Sequence, residues 1–157
     1  MNNSQPAEHR QTLIQVLNDV LEQLAFMFGE EVEPAELPAP GGVCVRAEMA
    51  FAGPMNGSLK IAVTEEMCPE IAANILGAEP DDDRVMEKAR DALKELLNIT
   101  CGQVLTAIAG EEPVFDLSVP QAAEITPEEW QAMAMAPEMA AVLADDYPVL
   151  ICLRIGE

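Results

Sequence analysis

Residues 84–110, RVMEKARDALKELLNITCGQVLTAIAG, decide how this chain folds. Their apolar members recur every three or four positions, which predicts one long amphipathic helix that stops at Gly110. At about 100° of rotation per residue, Asp91, Glu95, Asn98 and Gly102 share one narrow stripe of this helix. The apolar side chains fall on the opposite side, at Leu93, Leu97, Val104 and Ile108. The stripe is therefore predicted to face solvent or a partner.

Two residues of the stripe are costly in a helix interior. Asn98 forms helix less readily than Ala, Glu or Lys would, by a few tenths of a kcal/mol. Gly102 costs about 1 kcal/mol relative to alanine, which suggests that another group approaches the helix closely there. A Glu three residues before an Asn also arises by chance on ordinary polar helix faces. The pair alone is therefore only a weak indication of a site.

The residues before the long helix predict a helix, a hairpin and a shorter helix. Apolar residues at helical spacing predict the first helix over residues 8–28. Alternation predicts strands over residues 43–51 and 59–63, joined as a hairpin through a Gly-Pro turn. Thr64 is the predicted N-cap of a shorter helix that ends at Gly77.

The residues after residue 77 predict a second group of elements. Residues 78–83 form a linker whose aspartates can cap the long helix. A strand is predicted to begin at Phe115 and to end at Pro120, where it could return alongside the long helix. Residues 127–144, rich in Ala, Met and Glu, are predicted to be helical with a break at Pro137. A final strand is predicted over residues 149–155.

An internal repeat relates the two halves of the chain. Residues 18–25 with Gly29 align with residues 91–98 with Gly102, and each long helix is followed by strand material. The prediction is a single α+β (α/β) domain over residues 1–157, whose halves share a mixed, largely antiparallel sheet packed on two long helices. Within it, residues 1–10 are predicted to be disordered. Residues 11–77 form the first half and residues 84–157 the second half, which carries the candidate site.

Composition excludes several classes of partner. The formal net charge is −20, with only eight Lys and Arg, so the surface should repel nucleic acid and anionic membranes. No apolar run approaches the roughly 18 residues that span a bilayer. The polar first 11 residues lack the layout of a signal peptide. We therefore expect a soluble, cytoplasmic protein.

No metal site or cysteine chemistry is expected. Cys44, Cys68, Cys101 and Cys152 are far apart in apolar surroundings, which predicts buried, reduced thiols. The single histidine, His9, lies in the terminal segment, so a zinc site or a Cys-His pair has little support. Residues 81–83 are three aspartates, but they lack the alternating ligands and closing Glu of a calcium loop, and helix capping is favoured.

The stripe resembles a known signature. Asp91-x3-Glu95-x2-Asn98 followed by Pro120 is similar to that of the CheC/CheX/FliY phosphatases of bacterial chemotaxis: Asp or Ser, three residues, Glu, two residues, Asn, 22 residues and Pro. The resemblance extends to residues 52–61, 71–77 and 115–120, and is strongest to the CheX branch. In this chain 21 residues separate Asn98 from Pro120, one fewer than in the signature.

The resemblance implies a function and roles for the stripe. Family members hydrolyse the aspartyl-phosphate of a CheY-type response regulator. By analogy, Glu95 would dock on the receiver's active-site lysine and Asn98 would orient the attacking water, supported by Asp91, Gly102 and Pro120. The receiver would supply Mg²⁺, and the chain would need no cofactor of its own. Ala25 stands where the repeat would need a second Asn, so a single site per chain is implied.

Four of the eight basic residues lie on or beside this helix, at Arg84, Lys88, Arg90 and Lys94. They could steer an acidic receiver, with Lys94 and Arg90 as candidate docking residues. Alternatively, they only pair with nearby acidic residues at helical spacing.

Two further hypotheses concern partners. The same helix face could bind a receiver or another signalling protein without hydrolysis, as an adaptor module. A homodimer is also expected, because CheX-like proteins pair through sheet edges. The weakly charged strand over residues 149–155 would suit such pairing if it lay at an edge.

Overall fold

The computed structural model describes the backbone of residues 5–156 and the side chains from residue 9 onward. Of the segment predicted to be disordered, residues 1–4 lie outside this range, and residues 5–10 belong to a helix instead. Within the described range, four α-helices and one 3₁₀ turn are formed: α1 (Gln5–Ala25), the turn (Pro34–Glu36), α2 (Met67–Leu76), α3 (Asp83–Ala109) and α4 (Pro127–Ala134).

Seven strands form one sheet: β1 (Gly29–Val32), β2 (Cys44–Ala52), β3 (Gly57–Thr64), β4 (Asp116–Leu117), β5 (Gln121–Ile125), β6 (Ala140–Ala144) and β7 (Tyr147–Ile155). Their order is β1-β6-β7-β3-β2, with β4 and β5 both on the outer side of β2. Every pairing among them is antiparallel. The predicted α+β architecture is confirmed, with a fully antiparallel rather than a mixed sheet.

The order of the strands is symmetric about the centre of the sheet. β3 and β7 pair at its centre, β2 and β6 flank them, and the strand material that follows each long helix lies at an edge. β1 leaves its own half to pair with β6, and β4 and β5 leave theirs to pair with β2. The fold therefore consists of two related halves that exchange their first strands.

The core lies mainly on one face of the sheet, beneath α1, α2 and α3. The alternating residues Val45, Ala47 and Met49 of β2 point into it, as the sequence predicts, and so do Ile61 and Val63 of β3. Each such large aliphatic side chain contributes about 1.5–3 kcal/mol on burial. A smaller apolar cluster on the other face packs α4 against the sheet around Trp130, Leu150 and Cys152.

The helix that carries the stripe begins and ends as its sequence predicts. The Asp82 carboxylate accepts a hydrogen bond from the Arg84 backbone N–H at 2.8 Å, which caps the first turn of α3. The helix ends before Gly110, whose φ of 88° disfavours residues with a side chain. Over its 27 residues α3 buries the side opposite the stripe, including Leu93, Leu97 and Val104.

Three predicted boundaries after the first helix are wrong. Residues 140–144 form β6 instead of helix, because this short apolar run lies between β1 and β7 with most of its side chains buried. Thr64 ends β3 instead of capping α2, since the Glu65 N–H continues the hairpin by bonding to the Val43 carbonyl at 2.8 Å. Strand pairing does not end at Pro120, because β5 resumes at Gln121.

The first helix also ends earlier than predicted. It stops at Ala25, Phe26 takes a left-handed φ of 54°, and Phe28 is exposed rather than part of an apolar stripe. The strand β1 that follows was not predicted. Its two central residues are both glutamates, so the segment shows no alternation of apolar and polar residues. Only its pairing with β6 defines it as a strand.

The last strand is interior, contrary to the argument for a dimer. β7 lies between β3 and β6, so it has no free edge to offer a second copy. The free edges of the described sheet belong to β1 on one side and to β4 and β5 on the other.

Candidate functional site

The polar stripe of α3 faces outward, as the helical spacing predicts. Asp91 and Glu95 are exposed, and Asn98 and Gly102 are partly exposed. All four lie on the part of the helix that passes the sheet edge formed by β4 and β5.

A β-bulge shapes that edge. Phe51 pairs with Leu117 and Glu48 pairs with Gln121, so the three residues 118–120 lie opposite only two residues of β2. Ser118 anchors the bulge to β2 through its backbone and its side chain. Its N–H donates to the Ala50 carbonyl at 2.9 Å, and its Oγ accepts from the Ala50 N–H at 2.8 Å. The extra residue separates β4 from β5 and leaves Val119 78% exposed.

The bulge and the helix enclose an open groove of about 580 Å³. Its walls combine the predicted residues Asp91, Lys94, Glu95, Asn98 and Pro120 with residues from the bulge and the start of the helix, namely Lys88, Leu117, Ser118 and Val119. Pro120 thus reaches the groove although the spacing from Asn98 is one residue shorter than in the family signature. The bulge, which adds one residue to the edge strand, lies within that spacing.

Asn98 and Glu95 are available to a partner. Among the described residues, no hydrogen bond engages the Asn98 amide, and no ion pair engages the Glu95 carboxylate. The nearby Lys94 ammonium contacts Asp91 instead, at 3.5 Å. The groove therefore presents one amide, with donor and acceptor capacity, and one carboxylate on a rigid helix.

The four basic side chains on or beside α3 differ in whether they line the groove. Arg84 pairs with Asp82 at 3.2 Å, so it serves the helix cap. Arg90 bridges Glu65 at 2.7 Å and Glu124 at 3.0 Å, and these carboxylates raise the pKa of its guanidinium. It ties α3 to the turn before α2 and to β5, and it does not line the groove. Lys88 and Lys94 do line it.

The space next to the Cα atom of Gly102 is open. A Cβ added there would meet nothing within 4 Å outside the helix's own backbone, so packing within the chain does not require glycine at this position. The close approach to Gly102 that the sequence suggests is therefore an approach by a group outside the described chain.

Within the described residues, the first half does not reproduce the exposed position of Asn98. Glu22 is exposed, but Ala25, which aligns with Asn98, is fully buried and is the last residue of α1. Its carbonyl accepts a hydrogen bond from the Asn74 side chain. The absence of a second Asn, seen in the sequence, is thus accompanied by a different course of the chain.

Sequence reasoning missed the contributions of Ser118 and Val119 to the groove, and it named Lys88 only as a member of the basic cluster. Alternation continues from Leu117 through Ser118 to Val119, so no local pattern in the sequence indicates the bulge. No group of three or more His, Cys, Asp or Glu side chains among the described residues could hold a metal ion. No helix in the described part of the chain is both long and apolar enough to cross a membrane. The four cysteines are buried and free, as predicted.

No curated protein matches the sequence closely enough to count as a relative. Several solved structures share the fold. CheX from Vibrio vulnificus has a TM-score of 0.70 at 19% identity, over 96% of this chain and 98% of that one. CheX from Desulfovibrio desulfuricans has a TM-score of 0.64 at 17% identity, over 94% and 99%.

A third similar structure is a complex. CheX from Borrelia burgdorferi, bound to CheY with BeF₃ and magnesium, has a TM-score of 0.64 at 22% identity, over 94% of this chain and 97% of that one. These likenesses establish the common fold.

The family assignment comes from the sequence itself. The model of the family described as chemotaxis phosphatase CheX matches residues 45–141, more than half of the chain. The matched range contains α3 and the bulge, and so both walls of the groove. On this match, and in agreement with the resemblance of its signature, the chain belongs to the CheX family.

Proposed function

We propose that the chain is a phosphatase that hydrolyses the aspartyl-phosphate of a CheY-type response regulator. The groove between α3 and the bulge is where the receiver docks. The observation that carries the proposal is the position of Asn98. It lines the groove from a rigid helix with an uncommitted amide, within a sequence matched by the CheX family. The complex of the Borrelia burgdorferi relative with CheY supports the choice of partner.

The reaction needs little from this chain beyond positioning. The water oxygen attacks phosphorus as the bond from phosphorus to the aspartyl oxygen breaks. Aspartate leaves as a carboxylate, and both water protons remain on the phosphate. An acyl phosphate is already activated, so a water held in line is the missing component. An amide can accept a hydrogen bond from that water and donate one without adding charge beside the phosphoryl group. We assign this role to Asn98.

Glu95 has a different role one turn earlier. Its carboxylate, unpaired within the described chain, docks on the active-site lysine of the receiver and sets how deeply α3 inserts. The Mg²⁺ ion beside the phosphoryl group belongs to the receiver, whose own carboxylates hold it. The acidic groups of the groove, Asp91 and Glu95, lie alongside Lys88 and Lys94, so the groove carries both signs of charge.

The test is the rate of phosphate loss from CheY-type receivers of the same organism, phosphorylated with radiolabelled acetyl phosphate. We expect the chain to accelerate the loss. Asn98→Ala should reduce kcat by about 100-fold, since a misplaced water forfeits the alignment of the reacting atoms. It should leave receiver binding within about twofold. Glu95→Ala should instead raise KM.

The adaptor hypothesis makes the opposite prediction. A module that binds the receiver without hydrolysis gives the same rate of phosphate loss with wild type, with Asn98→Ala and with no added protein. Equal rates together with measurable binding would therefore replace the phosphatase proposal with the adaptor.

A further inference from the structure

The groove continues past Asn98 into a second, apolar part. A hollow of about 590 Å³ shares Asn98 and Leu117 with the polar groove and extends toward the C-terminal end of α3. We call it the apolar extension. Its walls include Val16 of α1 together with Ile99, Gly102 and Ala107 of α3. Asn98 thus lies at the boundary between a charged and an apolar surface.

The fold itself does not fill this extension. Leu117 is 39% exposed although it belongs to a strand, and Ala107 is exposed on the helix surface. The space above Gly102 is empty. A glycine inside a helix costs about 1 kcal/mol relative to alanine, and here no intramolecular contact offsets that cost.

The charge distribution separates the two parts. The polar groove contains Asp91, Glu95, Lys88 and Lys94, whereas no ionisable side chain is among the residues that line the apolar extension. In a chain with 28 acidic residues, an uncharged hollow next to the proposed site is distinctive. A contact surface whose centre is apolar and whose rim is polar is typical of protein interfaces.

We propose that the apolar extension is a second docking surface for the same receiver, and that it takes an apolar side chain exposed next to the receiver's phosphorylation site. This inference rests on the proposed function. The two hollows are continuous through Asn98 and Leu117, so the molecule that fills the polar groove also occupies the apolar extension. The extension contributes to affinity and to the choice among receivers, and the chemical step depends on Asn98.

A matched pair of variants tests this assignment. Ala107→Glu places a carboxylate in the apolar extension, and Ala132→Glu places the same charge at an exposed position of α4, on the other face of the sheet. Both variants change the net charge equally, so their difference isolates the local contact. The measurement is the Kd of a receiver activated with beryllium fluoride, by calorimetry, together with KM and kcat for phosphate loss.

We expect Ala107→Glu to raise Kd and KM by about tenfold with kcat unchanged, and Ala132→Glu to stay within about twofold of wild type. If Ala107→Glu fails to fold, Gln103→Glu, also exposed in the extension, takes its place. A wild type that binds and dephosphorylates the receiver, with Ala107→Glu equal to Ala132→Glu, overturns this inference alone. A wild type that neither binds nor dephosphorylates any receiver overturns the proposed function and this inference together.

Discussion

Ser118 and Ala50 exchange two hydrogen bonds across the sheet edge, one of 2.9 Å through the serine N–H and one of 2.8 Å through its Oγ. The hydroxyl takes the place of a backbone carbonyl, because the bulge carries the next carbonyl out of register with β2. The Ser118 side chain therefore determines where Val119 and Pro120, which line the groove together with Asn98, leave the sheet.

Removing that hydroxyl should affect the site more than the fold. Ser118→Ala leaves the Ala50 N–H without its acceptor on an exposed edge, at a cost of about 0.5–1.5 kcal/mol. We expect kcat/KM for phosphate loss to fall by about tenfold, since Pro120 and Val119 lose their fixed position.

Two further variants separate this effect from a general loss of stability. Ser118→Thr keeps the hydroxyl and should restore most of the activity. Ser58→Ala, which changes the residue that pairs with Ala50 from the other side, should leave activity unchanged. Equal activities of Ser118→Ala and wild type would contradict the role of the bulge.

Gly102→Ala should make the protein more stable and the proposed site poorer. Outside the helix's own backbone the added methyl group meets no atom within 4 Å, and alanine favours helix over glycine by about 0.5–1 kcal/mol. The midpoint of urea unfolding should therefore rise. Receiver affinity should fall, because the methyl group occupies space that the partner approaches. An increase in stability with unchanged affinity would show that glycine at this position serves no partner.

Lys88 and Arg90 should behave differently although each carries one positive charge. Lys88 lines the groove, whereas Arg90 is held by Glu65 and Glu124. We expect Lys88→Ala to slow association with an acidic receiver at low salt, and this effect should fade as salt screens the charges.

Arg90→Ala removes the same charge and serves as the matched control. It should change stability by about 1 kcal/mol or less, because the pairs are partly exposed, and it should leave the association rate close to wild type. Stopped-flow measurements over a range of salt concentrations would distinguish the two. Equal slowing by both variants would mean that net charge, and not the groove, steers the receiver.

The cysteines should be unreactive until the protein unfolds. Burial raises the pKa of Cys68 to about 12 and that of Cys101 to about 11. At pH 8 the thiolate fraction of Cys68 is then about one in ten thousand, and the thiolate is the reactive form. A thiol reagent should modify the four cysteines only at the rate of unfolding, and rapidly in denaturant. Fast modification of the native protein would indicate an open core.

Local patterns were sufficient to predict the helix that carries the site. The orientation of Glu95 and Asn98 follows from helical periodicity, and the cap at Asp82 follows from the preference of aspartate for that position. Alternation likewise predicted the hairpin of β2 and β3 and the last strand, with ends within about two residues.

Long-range pairing decides the features that were missed. The run Ala140–Ala144 has helix-favouring alanines, and it becomes a strand because β1 and β7 occupy both of its edges. The bulge at Ser118 exists only relative to β2, and Val16 reaches the apolar extension only through the packing of α1 against α3. None of these partners is near in sequence, so no local window contains the information.

The early end of α1 constrains how the molecule can be redesigned. Ala25 is fully buried, and its carbonyl is held by Asn74, so asparagine at this position would bury an amide instead of presenting it to a partner. The chain then turns away at Phe26, and the helical turn that carries Ile99 and Gly102 in the second half has no counterpart. A single substitution therefore cannot create a second copy of the proposed site. The change would require a longer first helix and a new course for β1, which makes the loss of symmetry hard to reverse by stepwise mutation.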